Sequence, residues 1–354
     1  MTYDKVALLF PGQGSQYVGM GKEFYDEYQF VRDIYDQASQ WLGYDIAEKC
    51  FRKPVFSRKI MHREDLNKTI YTQPAVLVTS YACIRVFEER CRELEVELKF
   101  SLLAGHSLGE YTALLVADAI DFETAVRLVQ KRAEFITEFS KAYPDAGLMA
   151  IVDKKNALGK DFMDELCKDF QVYVTLINTQ NQIVVGGFKK NLGELSRKLK
   201  KDGKVATVLR VEGPFHSPLM KPAAERFRKE LEQVDLRIAD RPVIANVTTE
   251  AIVDPNHIKK ELYEQIYTHV DWKQTIEKIS GNGADLFIEV GPKKVLSKLA
   301  RDIAPEVKRL NVENAASLNK TLKALKNEEG EEPVEGEEEM PEHILPSDEV
   351  HTED

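Results

Sequence analysis

Residues 6–10 (VALLF) are uniformly apolar and run into Pro11-Gly12-Gln13-Gly14-Ser15-Gln16. That is the pattern of a strand buried on both faces and ended by a turn. Helical spacing dominates from about residue 21 to 92. Within it, residues 73–89 carry Val76, Val78, Tyr81, Ile84 and Phe87 along one packed face. A second short apolar run, residues 101–104, predicts another strand. It breaks into Gly105-His106-Ser107-Leu108-Gly109 and is followed by helices over 110–117 and 122–139. The latter places Val126, Val129, Ala133 and Ile136 at helical spacing.

The rhythm changes between about residues 140 and 212. Strand patterns at 148–152, 172–178, 182–186 and 204–210 alternate with helical stretches ending near Lys168 and Lys201. The order β-α-β-β-α-β predicts a compact ferredoxin-like unit inserted into the chain. The α/β rhythm then resumes, with strands at 243–246 and 286–290 and helices at 272–279 and 295–300. The expected fold class is therefore α/β: a hydrolase-like core with a parallel sheet, built from residues 1–139 and 213–326, and a ferredoxin-like α+β subdomain over 140–212.

Length and composition fit this picture. The chain has 354 residues, 43% of them hydrophobic and 31% charged, as a globular domain requires. No apolar run approaches the roughly 20 residues of a membrane span, and the 6–10 stretch is too short for a signal-peptide core. The expected compartment is the cytoplasm, with no membrane association. The four cysteines (Cys50, Cys83, Cys91, Cys167) form no CxxC pair and no Cys/His cluster, which argues against disulfides and a metal site. The formal net charge of −10 is concentrated: residues 327–354 hold 13 acidic residues and no Lys or Arg. The rest of the chain has 49 basic against 46 acidic residues. The Glu-rich end is expected to be a disordered tail. The mildly basic body suits an anionic substrate or an acidic partner, though so small an excess is also ordinary.

Candidate chemistry concentrates in the second turn. Gly105-His106-Ser107-Leu108-Gly109 fits G-x-S-x-G between a strand and a helix. A nucleophilic serine must stand on a sharp bend, so its neighbours must be small. The same bend leaves the Leu108 amide, at a helix N-terminus, free to stabilise an oxyanion. A glycine-rich turn whose serine caps the helix would give the same pentapeptide. Such a serine needs a base. Of seven histidines, His343 and His351 lie in the tail and His62 in a charged segment. His257 and His269 have no distinctive neighbours, and His106 is committed to the bend. His216 lies in Gly213-Pro214-Phe215-His216-Ser217-Pro218, whose prolines and glycine fix the backbone as a positioned base requires. A loop histidine without a role remains the alternative.

Taken together, Phe10-Pro11-Gly12-Gln13-Gly14-Ser15-Gln16, Thr72-Gln73-Pro74-Ala75, Gly105-His106-Ser107-Leu108-Gly109-Glu110-Tyr111, Gly213-Pro214-Phe215-His216-Ser217 and Glu289-Val290-Gly291-Pro292 occur in an order and at a spacing that resemble the malonyl-CoA:acyl-carrier-protein transacylases. The similarity runs from Val6 to about Ala300. It implies that Ser107 accepts the acyl group, that His216 is the general base, and that the Gln13 and Leu108 amides form the oxyanion hole. It implies that Arg132 pairs with the free carboxylate of the malonyl group. Phe215, beside the base, is the candidate for crowding an α-methyl group. In this family a glutamine main-chain carbonyl often orients the base, within a segment reading Thr268-His269-Val270-Asp271-Trp272 here. Asp271 stands at that place, as a candidate base-orienting residue.

The resemblance implies ping-pong transfer of malonyl from CoA to the phosphopantetheine thiol of an acyl carrier protein in fatty acid biosynthesis. Malonyl-CoA is then a substrate, and no metal or other cofactor is needed. The expected partners are the carrier protein and malonyl-CoA, with no nucleic acid and no membrane, and the expected working form is a monomer. Three readings compete with it. One is a transferase that loads a polyketide assembly line in trans, and one is a serine acyl hydrolase. The third is a non-catalytic docking protein that acts through its tail.

Overall fold

The computed structural model describes residues 3, 5–52, 66–96, 100–209 and 211–326. The acidic tail and most of the 51–68 segment lie outside these. Among the described residues eleven strands occur in chain order: β1 Val6–Phe10, β2 Phe100–Gly105, β3 Ala146–Val152, β4 Tyr173–Thr179, β5 Gln182–Phe188, β6 Val205–Val208, β7 Val243–Ile244, β8 Ala251–Ile252, β9 Val270–Asp271, β10 Leu286–Val290 and β11 Lys308–Val312. They form two sheets, ordered β11-β10-β1-β2-β7-β8 and β6-β3-β5-β4-β9.

The first sheet is parallel from β11 to β7, and only β8 runs antiparallel to its neighbour. Strand β1 lies at its centre, with Val6 opposite Leu286 of β10 and Phe10 opposite Gly105 of β2. Every β1 side chain is buried because helices cover both faces. Alternation along the strand assigns them to two cores. Val6, Leu8 and Phe10 face the larger cluster with Val76, Phe87, Leu114 and Val129. Ala7 and Leu9 face Trp272, Ile276, Leu296 and Leu299. The second sheet packs its own core of Met149, Ile151, Ile183, Val185, Leu192 and Leu195. Its β9 strand, parallel to β4, is the first stretch after the segment carrying residues 213–218 to pair with it.

Three helices carry the site. Helix Phe122–Ala142 is capped by Asp121, whose carboxylate accepts from Thr124 N at 2.7 Å. Its buried stripe of Leu128, Val129, Arg132, Ala133, Phe135 and Ile136 turns one arginine inward. Helix Thr69–Glu93 runs through Pro74. Proline cannot donate to Ile70 O, four residues earlier; that carbonyl accepts instead from the Tyr44 hydroxyl at 3.4 Å. The third, Gly109–Val116, follows the serine bend directly and packs on β1 and β2.

Several expected elements differ at their ends. The 204–210 strand is shorter, at Val205–Val208, and the helix expected over 73–89 extends to Thr69–Glu93. Strands β8, β9 and β11 and helices Lys221–Glu232, Pro255–Glu264 and Ala315–Leu325 carry no expectation from the sequence pattern. Two-residue strands such as β8 and β9 have no periodicity to detect. Among the described residues no helix is long and apolar enough to cross a membrane.

Two close approaches lock β2 and its following helix against β1. A Cβ at Gly109 would lie 2.0 Å from Phe10 O, and one at Gly105 would lie 2.0 Å from Gly109 C. Backbone cannot yield to such contacts without moving the strand. Gly109→Ala is therefore expected to destabilise the protein by about 3 kcal/mol or more, measured by urea unfolding; a loss within about 0.5 kcal/mol of zero would contradict the packing described.

Candidate active site

Ser107 stands at the C-terminal end of β2 with φ 52°, in the left-handed region where only a tightly held non-glycine residue sits. The hold comes from both sides. Ser107 N donates to Asn246 Oδ1 at 2.6 Å, and Asn246 Nδ2 donates to Gly105 O at 2.7 Å, so one buried amide clamps the bend. His106 N donates to Phe10 O at 3.0 Å, and a Cβ at Gly12 would lie 2.4 Å from His106 O. The 11–16 turn and the serine bend are thus wedged together by their glycines. His106 itself points away from the serine: its ring lies edge-on to Trp272 and its Nε2 is 3.1 Å from Asn178 Oδ1.

His216 meets Ser107 from the loop before helix Lys221–Glu232. It too has a positive φ, 59°, and its backbone N–H donates to Ile266 O at 3.1 Å. Its Nδ1 lies 2.6 Å from Gln265 O and its Nε2 lies 2.7 Å from Ser107 Oγ. A carbonyl only accepts, so the proton belongs on Nδ1 and the lone pair on Nε2 faces the hydroxyl. Burial, then the nearby Arg132 charge, push the imidazole down to about 3 from its usual 6.5, so it is neutral at ordinary pH.

Arg132 is 3% exposed. Its Nη1 donates to Gln73 Oε1 at 2.8 Å, and its Nη2 reaches Gln265 Oε1 at 3.1 Å and Ser107 Oγ at 3.2 Å. Its Nε has no partner among the described residues, and the guanidinium lies over the Tyr111 ring. No carboxylate of the described residues forms an ion pair with it. A buried cation with only neutral acceptors in direct contact is costly, and burial lowers its proton affinity.

Gln13 ties the first turn to the same centre: Gln73 Nε2 donates to its Oε1 at 3.4 Å, and its own Nε2 donates to Thr69 Oγ1 at 3.3 Å. The backbone amides of Gln13 and Leu108 engage no acceptor among the described residues. Phe215, next to His216, is partly buried against the core.

The structure brings Ser107, Arg132 and His216 into mutual reach and sets the Gln13 turn beside them. It does not bring in Asp271. That carboxylate accepts from Gln274 N at 2.9 Å as the cap of helix Trp272–Gly281. The acceptor for His216 is the Gln265 carbonyl, six residues earlier, because the turn after helix Pro255–Glu264 carries the chain past the imidazole before β9 begins. Residues 265, 246 and 73 carry no expectation from the sequence as site members. Gln73 lies in the Thr72-Gln73-Pro74-Ala75 motif, whereas Asn246 and Gln265 act through folded geometry. Among the described residues no three His, Cys, Asp or Glu side chains group to hold a metal ion.

The arrangement can move a proton from a serine hydroxyl to an imidazole next to a buried guanidinium. Most of the chain is similar to known proteins. Residues 7–331 match the acyl transferase domain. The chain is 36% identical over 326 residues to a malonyl CoA-acyl carrier protein transacylase of Bacillus subtilis, covering 92% of this chain and 98% of that protein. It superposes on an acyl carrier protein S-malonyltransferase from Vibrio cholerae with a TM-score of 0.80 at 35% identity, covering 89% of this chain and 99% of that one. It also superposes on a malonyl-transacylase solved in complex with its type II polyketide synthase acyl-carrier protein, with a TM-score of 0.81 at 34% identity, covering 91% and 99% of the two chains.

The depressed basicity of His216 sets a pH dependence. The folded protein holds the neutral imidazole, so that contribution to stability is complete above pH 6.5 and is lost as pH falls from there towards about 3. The acid limb of kcat/KM for acylation should likewise lie well below pH 6. A limb at pH 6–7 that disappears in His216→Ala residual activity would contradict this placement of the imidazole.

Proposed function

The chain belongs to the acyl transferase family and, within it, to the malonyl-CoA:acyl-carrier-protein transacylases, and we propose that it transfers malonyl from CoA to a carrier-protein thiol through an ester on Ser107. The observation that carries this reading is the buried Arg132 guanidinium, 3.2 Å from Ser107 Oγ and lacking a direct carboxylate partner. Nε and Nη2 share one edge of the guanidinium, and the Nη2 end of that edge reaches the serine oxygen. A substrate whose reacting carbonyl sits at Ser107 and whose far end is a carboxylate supplies the missing charge with two parallel hydrogen bonds.

The steps follow from the geometry. As Ser107 Oγ bonds to the thioester carbonyl carbon of malonyl-CoA, His216 Nε2 takes the hydroxyl proton while Nδ1–H stays on Gln265 O. The Gln13 and Leu108 amides stabilise the carbonyl oxygen as it becomes an oxyanion; such donors are worth roughly 10²–10³ each in rate. The C–S bond breaks, the CoA sulfur takes the proton from His216, and a malonyl ester remains on Ser107. The phosphopantetheine thiol then gives its proton to His216 and attacks the ester carbonyl. Collapse returns the proton to Ser107 Oγ. Pairing a substrate carboxylate with Arg132 also offsets the Arg132 charge, which after burial is the largest cause that depresses His216, so the base strengthens when a diacid binds.

The surrounding assignments belong to the same reading. The parallel sheet is a hydrolase-like scaffold of residues 1–139 and 213–326, and residues 140–212 are a ferredoxin-like insertion, for which the strand order β6-β3-β5-β4 speaks. Phe215 crowds an α-methyl group. The protein works in the cytoplasm, in fatty acid biosynthesis, with an acyl carrier protein as acceptor and no cofactor. The likeness to a polyketide malonyl-transacylase keeps a second setting in view, loading of a polyketide carrier, which shares every chemical step.

Removing the guanidinium separates a diacid from a simple acyl group. Arg132→Ala should lower kcat/KM for malonyl-CoA by about 30-fold to several-thousand-fold, the equivalent of roughly 2–5 kcal/mol, with a much smaller loss on acetyl-CoA. Equal losses on the two thioesters would count against the role given to Arg132.

A further inference from the structure

Behind the reacting groups lies a carboxylate that the mechanism does not use. Glu110 opens the helix after the serine bend and is fully buried, as are Gln265 and Asn246. Its Oε2 accepts from Gln265 Nε2, and its Oε1 accepts from Asn246 N at 3.3 Å. Gln265 Nε2 also donates to Ser107 O at 2.9 Å. With its amide nitrogen held by two acceptors, Gln265 must present Oε1 to the other side, where Arg132 Nη2 donates to it at 3.1 Å. The main-chain carbonyl of the same residue takes the His216 Nδ1–H.

We infer that Glu110 is a positioning residue for substrate choice: by fixing the sense of the Gln265 amide, it aims the Arg132 guanidinium at the acyl pocket. The inference rests on the reading of Arg132 given above. A glutamate is needed because both groups facing it are N–H donors and a carboxylate offers two acceptor oxygens. Glutamine at 110 offers one. Either Asn246 N or Gln265 Nε2 then meets an NH2 group, and the Gln265 amide is free to reverse. A reversed amide turns a donor towards Arg132, which itself only donates, and an acceptor towards Ser107 O. Glu110 also faces Glu261, whose carboxylate accepts from Val247 N at 2.8 Å. Burial and Glu261 raise the proton affinity of Glu110, while Gln265, Asn246 and Arg132 oppose the rise. Glu110 acts on Arg132 through Gln265 and makes no hydrogen bond to the guanidinium itself, which leaves Arg132 open to a substrate carboxylate.

The test is a double-mutant cycle read as the ratio of kcat/KM for malonyl-CoA to that for acetyl-CoA. Glu110→Gln should cut the ratio on the order of tenfold, the size expected for one misdirected buried hydrogen bond. In a Gln265→Ala background, which keeps the carbonyl that holds His216, the same substitution should change the ratio little, since its intermediary is gone. A merely structural role would lower both substrates together and leave the ratio unmoved, which would overturn the inference, as would full additivity in the cycle. Should Glu110→Gln not fold, Gln265→Leu must lower the ratio by itself, and an undiminished ratio there overturns the inference. Arg132→Ala in the same assay separates the two levels. If it leaves the ratio unchanged, the reading of Arg132 falls and this inference with it; if it lowers the ratio while Glu110→Gln does not, the inference alone falls.

Discussion

A serine hydroxyl is a poor nucleophile until a neutral imidazole is held against it with its lone pair free, and the 2.7 Å contact between Ser107 Oγ and His216 Nε2 is the constraint around which this fold is arranged. Neither residue sits in relaxed backbone: both have positive φ. Strained conformations of this kind persist only where the surroundings over-determine them. Here glycine wedges press the serine bend onto β1, Asn246 clamps it from below, and Gln265 takes the outer proton of the imidazole. The parallel sheet matters because it supplies these fixed points from strands far apart in sequence.

In the proposed reading, the guanidinium gives that nucleophile its selectivity. Arg132 reaches the site from a helix whose other inward residues are apolar but for Thr137, so its charge is carried into the core rather than left at the surface. Direct contact with a protein carboxylate would have satisfied it and closed the pocket to a diacid. Instead it touches the amide oxygens of Gln73 and Gln265, and the carboxylate of Glu110 stands one residue further back. Buried cations held this way are costly to the apo protein and are compensated when the substrate brings its own negative charge.

Much of this was legible in the residues. The bend at Ser107 announces itself through its two flanking glycines, and the rigid Gly-Pro-Phe-His loop marks His216. β1 is an apolar run that ends in turn residues, so its burial could be read directly. The ordered set of short motifs then brings Arg132 and the Gln13 turn into one family pattern, which helical periodicity could not do, since an arginine on a helix usually faces water. What escaped depends on contacts without a local signature. Gln265 acts through a main-chain oxygen, which any residue possesses, so only the path of the chain distinguishes it from Asp271. Asn246 follows a two-residue strand. Glu110 reads as an ordinary first-turn acid of a helix until folding encloses it.

The central claim is that Ser107 carries the acyl group between two thiols, and intact-mass spectrometry tests it directly. After mixing with malonyl-CoA the protein should gain the mass of a single malonyl group. The increment should leave on addition of a phosphopantetheine-bearing acyl carrier protein and appear on that carrier, and it should be absent from Ser107→Ala. Labelling that survives in Ser107→Ala would contradict the account, as would an increment lost to water while the carrier protein gains nothing.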